Sequence, residues 1–168
     1  DMILGVYYLT MEVEGREHRG AGKAFSDFDE VEMAYALGHV EVHTPIKIQL
    51  ETWYDENHEK LDEPVTRVLD TTVGRVLFNQ VLPPELRFVN RVLDKAEVQE
   101  LVGDVYQLLR EAGTPAVVDA IKDIGFAYAT KSGTTIAVSD ITVPSSKADI
   151  ISQTLEEAEA VRQDYRRG

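Results

Sequence analysis

Apolar residues recur at helical spacing from the first positions: Ile3, Leu4, Tyr7, Tyr8 and Met11 fall on one face, which predicts a short helix over 2–11. Glu14-Gly15-Arg16 and Gly20-Ala21-Gly22 break the period and predict turns around a small hairpin, with Lys23-Ala24-Phe25 as one of its strands. Ser26 or Asp27 then offers a side-chain oxygen to cap a helix whose inner face is Val31, Ala34, Tyr35 and Leu37, and Gly38 ends it. Val40, Val42, Ile46, Ile48 and Leu50 alternate with polar residues, which is strand period interrupted by Pro45. The polar stretch 55–60 reads as a surface loop.

Helical spacing returns after Thr71 or Thr72, which caps a helix carrying Val73, Val76, Leu77 and Val81 until Pro83-Pro84 stops it. Asp94 and Glu97 have the spacing of a reciprocal cap, and Val98, Leu101, Val102, Val105, Leu108 and Leu109 form the stripe behind it. Gly113 is expected to terminate that helix, and Thr114-Pro115 to start another with Val117, Val118, Ile121 and Ile124 inward. Thr134 to Val138 is β-prone, Pro144 punctuates it, and Ser145 or Ser146 opens a last helix reaching Arg167. The stripe of that helix, Ile151, Leu155, Ala158, Val161 and Tyr165, is narrow and polar-flanked, so it calls for a partner helix. The pattern as a whole predicts a mainly helical α+β fold with short strands or hairpins near 23–50 and 134–143.

Composition changes this picture only in part. The 168 residues suffice for one core or two small subdomains. No apolar run approaches the ~18 residues of a membrane helix, and the start lacks the features of a signal peptide, so a cytoplasmic, membrane-free protein is expected. With no cysteine, disulfides and thiolate metal sites are excluded. The chain opens on Asp1 rather than Met, which hints at a piece of something longer. A net charge of −13 argues against direct binding of duplex DNA, whose phosphates demand Lys and Arg, and favours protein partners.

Local motifs for chemistry are sparse. Gly20-Ala21-Gly22-Lys23 resembles the end of a phosphate loop, but Glu17 stands where the first glycine belongs and Ala24 where a Ser or Thr would meet Mg²⁺, so a turn is the better reading. His39, Glu41 and His43 could share one strand face and hold a metal in principle, though the spacing is not the helical zinc motif. A helix-turn-helix around Gly113 would present Asp119, Lys122 and Asp123, the wrong charge balance for DNA. No nucleophile has a His base at recognisable spacing.

Three blocks carry a resemblance further. Asp1-Met2-Ile3-Leu4-Gly5-Val6-Tyr7-Tyr8-Leu9-Thr10, then Asp70-Thr71-Thr72-Val73-Gly74-Arg75-Val76-Leu77-Phe78-Asn79, then Gly125-Phe126-Ala127-Tyr128-Ala129-Thr130-Lys131-Ser132-Gly133 occur in order, followed by Ser139-Asp140-Ile141, Val143-Pro144 and Tyr165-Arg166-Arg167-Gly168. In this order they resemble the pore region of the largest catalytic subunit, β′, of bacterial-type RNA polymerase. The resemblance implies a pore domain over 1–144, lining the secondary channel through which nucleotides pass and backtracked RNA is extruded. It also implies that 145–168 is the first arm of the rim-helix hairpin, one strand of a coiled coil where regulatory factors dock.

By the same resemblance, Lys131, Ser132, Thr134 and Asp140 are candidates for lining the channel, and Glu156, Glu157 and Arg162 for docking factors on the rim. Partners would be the other polymerase subunits, secondary-channel transcription factors and, in the intact enzyme, nucleotides and the RNA 3′ end. The intact enzyme would be nucleoid-associated. The catalytic Asn-Ala-Asp-Phe-Asp-Gly-Asp motif is absent from this sequence, so no residue here is assigned as catalytic or as a metal ligand. The Mg²⁺ would belong to the intact polymerase and no cofactor to this piece, which is expected to be inactive alone. Where some relatives carry a Lys, Asp and Tyr in an alarmone pocket, this chain has Ala112, Asp119 and Asp123, keeping only the Asp. The competing reading is an independent acidic interaction module that uses its C-terminal helix.

Overall fold

The computed structural model describes residues 1–13, 15, 17–54, 60–134 and 146–167. It divides into two units, Asp1–Thr134 and Thr135–Gly168.

In the first unit, helix α1 spans Met2–Thr10, and the chain then turns into the two-residue strand β1, Ala24–Phe25. Helix α2, Phe28–Ala36, begins at Asp27, whose carboxylate accepts the Glu30 backbone N–H at 2.8 Å. The Glu30 carboxylate reaches back to the Ser26 backbone N–H at 2.8 Å and hydroxyl at 2.7 Å, so two otherwise open donors of the first turn are satisfied. Gly38 closes the helix at φ +71°, a left-handed conformation that glycine adopts without Cβ strain.

Strands β2, Pro45–Tyr54, and β3, Lys60–Thr72, form an antiparallel pair, with β1 on the other side of β2. β1 runs parallel to β2, with Ala24 opposite Lys47 and Phe25 opposite Ile48, so among the described residues the strand at 24–25 pairs with β2 and not with a hairpin neighbour. Pro45 opens β2 instead of interrupting it, which suits a residue with no N–H to donate; its carbonyl accepts the Gly22 N–H at 2.8 Å. Residues 40–44 are therefore turn, although Val40 and Val42 are buried there. Of the predicted polar loop 55–60, Lys60 opens β3 and residues 55–59 lie outside those described.

Helix α3, Val73–Gln80, starts at Thr72, whose hydroxyl accepts the Arg75 N–H, and a 3₁₀ turn, Pro84–Leu86, follows it. Helix α4 spans Lys95–Ser132 and carries the predicted reciprocal cap: Asp94 accepts from Ala96 and Glu97 N–H at 2.8 and 3.0 Å, and Glu97 accepts from the Asp94 N–H at 3.4 Å. Its break lies at Arg110, with φ 54° and ψ −160°, and not at Gly113. Pro115 cannot bond the carbonyl one turn back and its ring crowds that turn, so the chain leaves helical geometry before it. The Thr114 hydroxyl donates to the Arg110 carbonyl at that step.

The core joins Val6 and Leu9 of α1, Ile46 and Ile48 of β2, Val73, Val76 and Phe78 of α3, and Leu93, Val98, Leu101 and Ile121 at and along α4. Two contacts within it are backbone on backbone. A Cβ on Gly5 would land on the Gly125 carbonyl, and one on Gly74 on the Leu9 carbonyl. A Cβ on Gly125 would in turn stand 2.7 Å from the Met2 carbonyl oxygen.

In the second unit, helix α5 spans Lys147–Arg167. Ile150, Ile151, Leu155, Val161 and Tyr165 are all exposed on it, Tyr165 to 88%. The β-prone stretch predicted after Thr134, and Ser145, lie outside the described residues.

Gly5→Ala and Gly103→Ala separate packing from helix propensity. The first overpacks a backbone contact and should destabilise by about 1–3 kcal/mol or more. The second adds a methyl to a helical position with nothing within 4 Å and should stabilise by about 0.5–1 kcal/mol. Urea unfolding of both variants checks the opposite signs.

Candidate functional site

Helix α3 buries two polar residues one turn apart: Arg75 is 6% exposed and Asn79 fully buried. A buried guanidinium is tolerated only when its donors are met. Arg75 Nε donates to the Thr10 carbonyl at 3.0 Å, and Nη1 to Asn90 Oδ1 at 3.2 Å and to Glu12 Oε1 at 2.7 Å. Asn79 accepts the Val89 N–H at 2.8 Å and donates to the Val89 carbonyl at 2.9 Å, holding that strand-like segment as a ladder partner would. Thr10 accepts the Leu93 N–H at 3.0 Å while donating to the Val6 carbonyl at 2.9 Å. Thr71 donates to Asn90 Oδ1 at 2.8 Å. The block 70–79 thus ties the end of α1, the end of β3 and the approach to α4 into one hydrogen-bonded knot.

At the far end of α4, Lys131, Ser132 and Thr134 come together. The Lys131 ammonium lies 4.5 Å from the Tyr128 ring centre and 5.6 Å from that of Tyr35, so its charge rests on two aromatic faces from α4 and α2. The Ser132 hydroxyl donates to the Ala129 carbonyl at 2.7 Å and accepts the Thr134 N–H at 3.2 Å, while Gly133 takes the left-handed conformation at φ +63°. These contacts finish the helix. Burial holds the Tyr128 hydroxyl above the usual phenol range, reinforced by its hydrogen bond with Tyr35 and by the charge of Glu32.

The remaining candidates do not join this cluster. Asp140 and the Glu156 side chain lie outside the described part of the structure. Glu157 and Arg162 are exposed on α5, where Arg162 Nη1 stands 3.9 Å from Glu159 Oε2. Asp119 and Asp123 both pair with Lys122, at 2.9 and 3.4 Å. The possible His39, Glu41 and His43 face does not form, because those residues lie in a turn. Glu41 instead faces His18 at 3.6 Å, and the Tyr8 ring packs edge-on against His43 at 4.7 Å. Among the described residues no group of three His, Cys, Asp or Glu side chains could hold a metal ion. No helix there is long and apolar enough to cross a membrane. The Gly20-Ala21-Gly22-Lys23 run is a turn, with Gly20 and Gly22 at φ +78° and +75°.

Sequence reasoning passed over Arg75, Asn79, Asn90 and Thr10 as site residues. The usable signal was an Arg and an Asn at i and i+4 within a helix whose other residues, up to its terminal Gln80, are apolar or Gly.

Comparison with known proteins fits this arrangement. The family profile of RNA polymerase Rpb1, domain 3, matches residues 1–141, and the chain belongs to that family. Among individual relatives, the DNA-directed RNA polymerase subunit β′ of Pelotomaculum thermopropionicum is 40% identical over 168 residues, all of this chain and 13% of that subunit. The β′ subunits of Desulforudis audaxviator and Moorella thermoacetica are each 39% identical over the whole chain and again 13% of their own length. The chain therefore spans about an eighth of the relatives it matches, and its blocks at 1–10, 70–79 and 125–133 all lie within the matched domain.

The Tyr128 hydroxyl gives a pH signature. Its folded-state pKa lies above the unfolded value near 10, so the native state binds more protons than the unfolded one once pH exceeds about 10. The stability contributed by the neutral phenol is complete below that pH and is lost as pH rises toward the folded pKa. Urea midpoints measured from pH 8 to 11 should fall at the alkaline end, and Tyr128→Phe should flatten the fall.

Proposed function

We propose that this chain serves as the pore segment of a β′ subunit in DNA-directed RNA polymerase, contributing to template-directed RNA synthesis as a wall of the channel through which nucleotides reach the active centre and RNA is extruded. The family match over residues 1–141, with relatives aligned along the entire chain, carries the reading. The catalytic Mg²⁺ aspartates would lie in other parts of the subunit, so the piece alone makes no RNA. Its own residues supply shape: the Arg75 knot and the glycine contacts fix α1 against α3 and α4, a rigid arrangement suited to a channel wall.

Lys131, Ser132 and Thr134 belong, on this reading, to the inner end of the wall, and Asp140 follows them. Helix α5 is the first rim arm. Its exposed stripe of Ile151, Leu155, Val161 and Tyr165 supports a return arm that covers it, with Glu156, Glu157 and Arg162 left for factors. Subunits of the polymerase and channel-binding transcription factors are the partners, and the acidic surface, from 30 acids against 17 bases, suits contact with protein more than with duplex DNA.

A photo-crosslinking residue placed at position 157 of the assembled polymerase tests this. Illumination with an RNA-cleavage factor should give a β′–factor adduct that excess unlabelled factor suppresses, while the same residue at position 103 gives none. No adduct at 157, or equal adducts at both, contradicts the assignment.

A further inference from the structure

The face formed by β1 and α2 is not used by the channel reading and has features that readings of charge and fold leave unexplained. Met33 of α2 and Leu37 at its C-terminal cap are 66% and 64% exposed, so Leu37 does not join the inner face on which it was expected, whereas Val31 of the same helix is buried. Met33 and Leu37 line a groove of about 370 Å³ together with Lys23, Ala24, Phe25, Glu30, Ala34 and His39. β1 is the outer strand on that side, since the sheet order is β1-β2-β3. The Lys23 carbonyl is spent on Lys47 N–H of β2 at 2.9 Å, so strand alternation turns the backbone groups of Ala24 away from β2. An apolar pair beside an open strand edge is the geometry by which an extended segment adds to a sheet.

Charge selects among such segments. Lys23 makes no ion pair among the described residues, in a protein of net charge −13. The one carboxylate in the groove, Glu30, is committed to the N–H and hydroxyl of Ser26, which hold it below the usual carboxylate range. The groove therefore offers apolar side chains and a cation.

We propose that this groove docks an extended polypeptide segment from a protein partner, one with apolar side chains flanking a carboxylate. The apolar side chains lie against Met33 and Leu37, the backbone meets Ala24, and the carboxylate pairs with Lys23. β1 has only two residues, so the strand edge supplies few hydrogen bonds and the apolar pair carries most of the contact. The proposal is independent of whether α5 docks factors.

The test uses the whole chain labelled at its methionine and leucine methyls, titrated with acetyl-Leu-Glu-Leu-amide and with acetyl-Leu-Lys-Leu-amide as probes. The Met33 and Leu37 methyls should shift saturably, and the acidic peptide should bind roughly two- to five-fold more tightly, the size of one exposed ion pair. Lys23→Glu should invert that preference without altering the spectrum of the core. Met33→Ser with Leu37→Ser should abolish the saturable broadening of the acidic peptide's own leucine methyl signals, in a protein whose other methyl signals stay in place. Equal binding of the two peptides, a preference that survives Lys23→Glu, or shifts centred on Met2 and Met11 overturns the proposal.

Discussion

Helix α1 has no room for side chains where it meets its two neighbours. On one side Gly5 brings its backbone onto the Gly125 carbonyl of α4, and on another the Leu9 carbonyl rests against Gly74 of α3. Interiors packed to crystal-like density transmit any added methylene to their surroundings. Here the added atom would meet backbone, which cannot rotate away. The position of α1 thus fixes the spacing of α3 and of the second half of α4, and with them the core around Val6, Leu9, Val76 and Ile121.

The polar knot complements this seat. Close backbone packing sets distance but leaves sliding along the helix axis, and directional bonds from Arg75 and Asn79 remove it. Arg75 reads the carbonyl at the end of α1 while Thr10 holds the Leu93 N–H just before α4 begins. Each of these groups is buried, so the loss of one partner leaves a desolvated donor or acceptor that costs about 1–3 kcal/mol.

Much of this was legible in sequence wherever the cause is local. Asp27, Thr72 and the Asp94–Glu97 pair cap their helices as predicted, because capping depends on a few adjacent residues. Strand β3 was missed because Asp62, Glu63, Pro64, Arg67 and Asp70 give an edge strand whose outer face meets no core, so its alternation is blurred. The parallel pairing of β1 is a long-range choice that no local pattern states. At Gly113 the sequence pointed to the residue most able to end a helix, whereas the break follows from what Pro115 does to the turn before it. Lys131 and Ser132 were picked out by resemblance alone. Their side chains have structural tasks: Ser132 ends α4 through its neighbours Ala129 and Thr134, whereas the seat of Lys131 on Tyr35 could not be seen without bringing α2 to α4.

Helices α1 and α3 and the 121–129 stretch of α4 form one cooperative unit set by backbone contact. Native-state hydrogen exchange under increasing urea measures this directly. Amides of Val6, Leu9, Val76 and Gly125 should exchange along a single isotherm that merges with global unfolding, while amides of α5 exchange earlier. Exchange of Gly125 at a distinctly lower free energy than Val6 and Leu9 would contradict it.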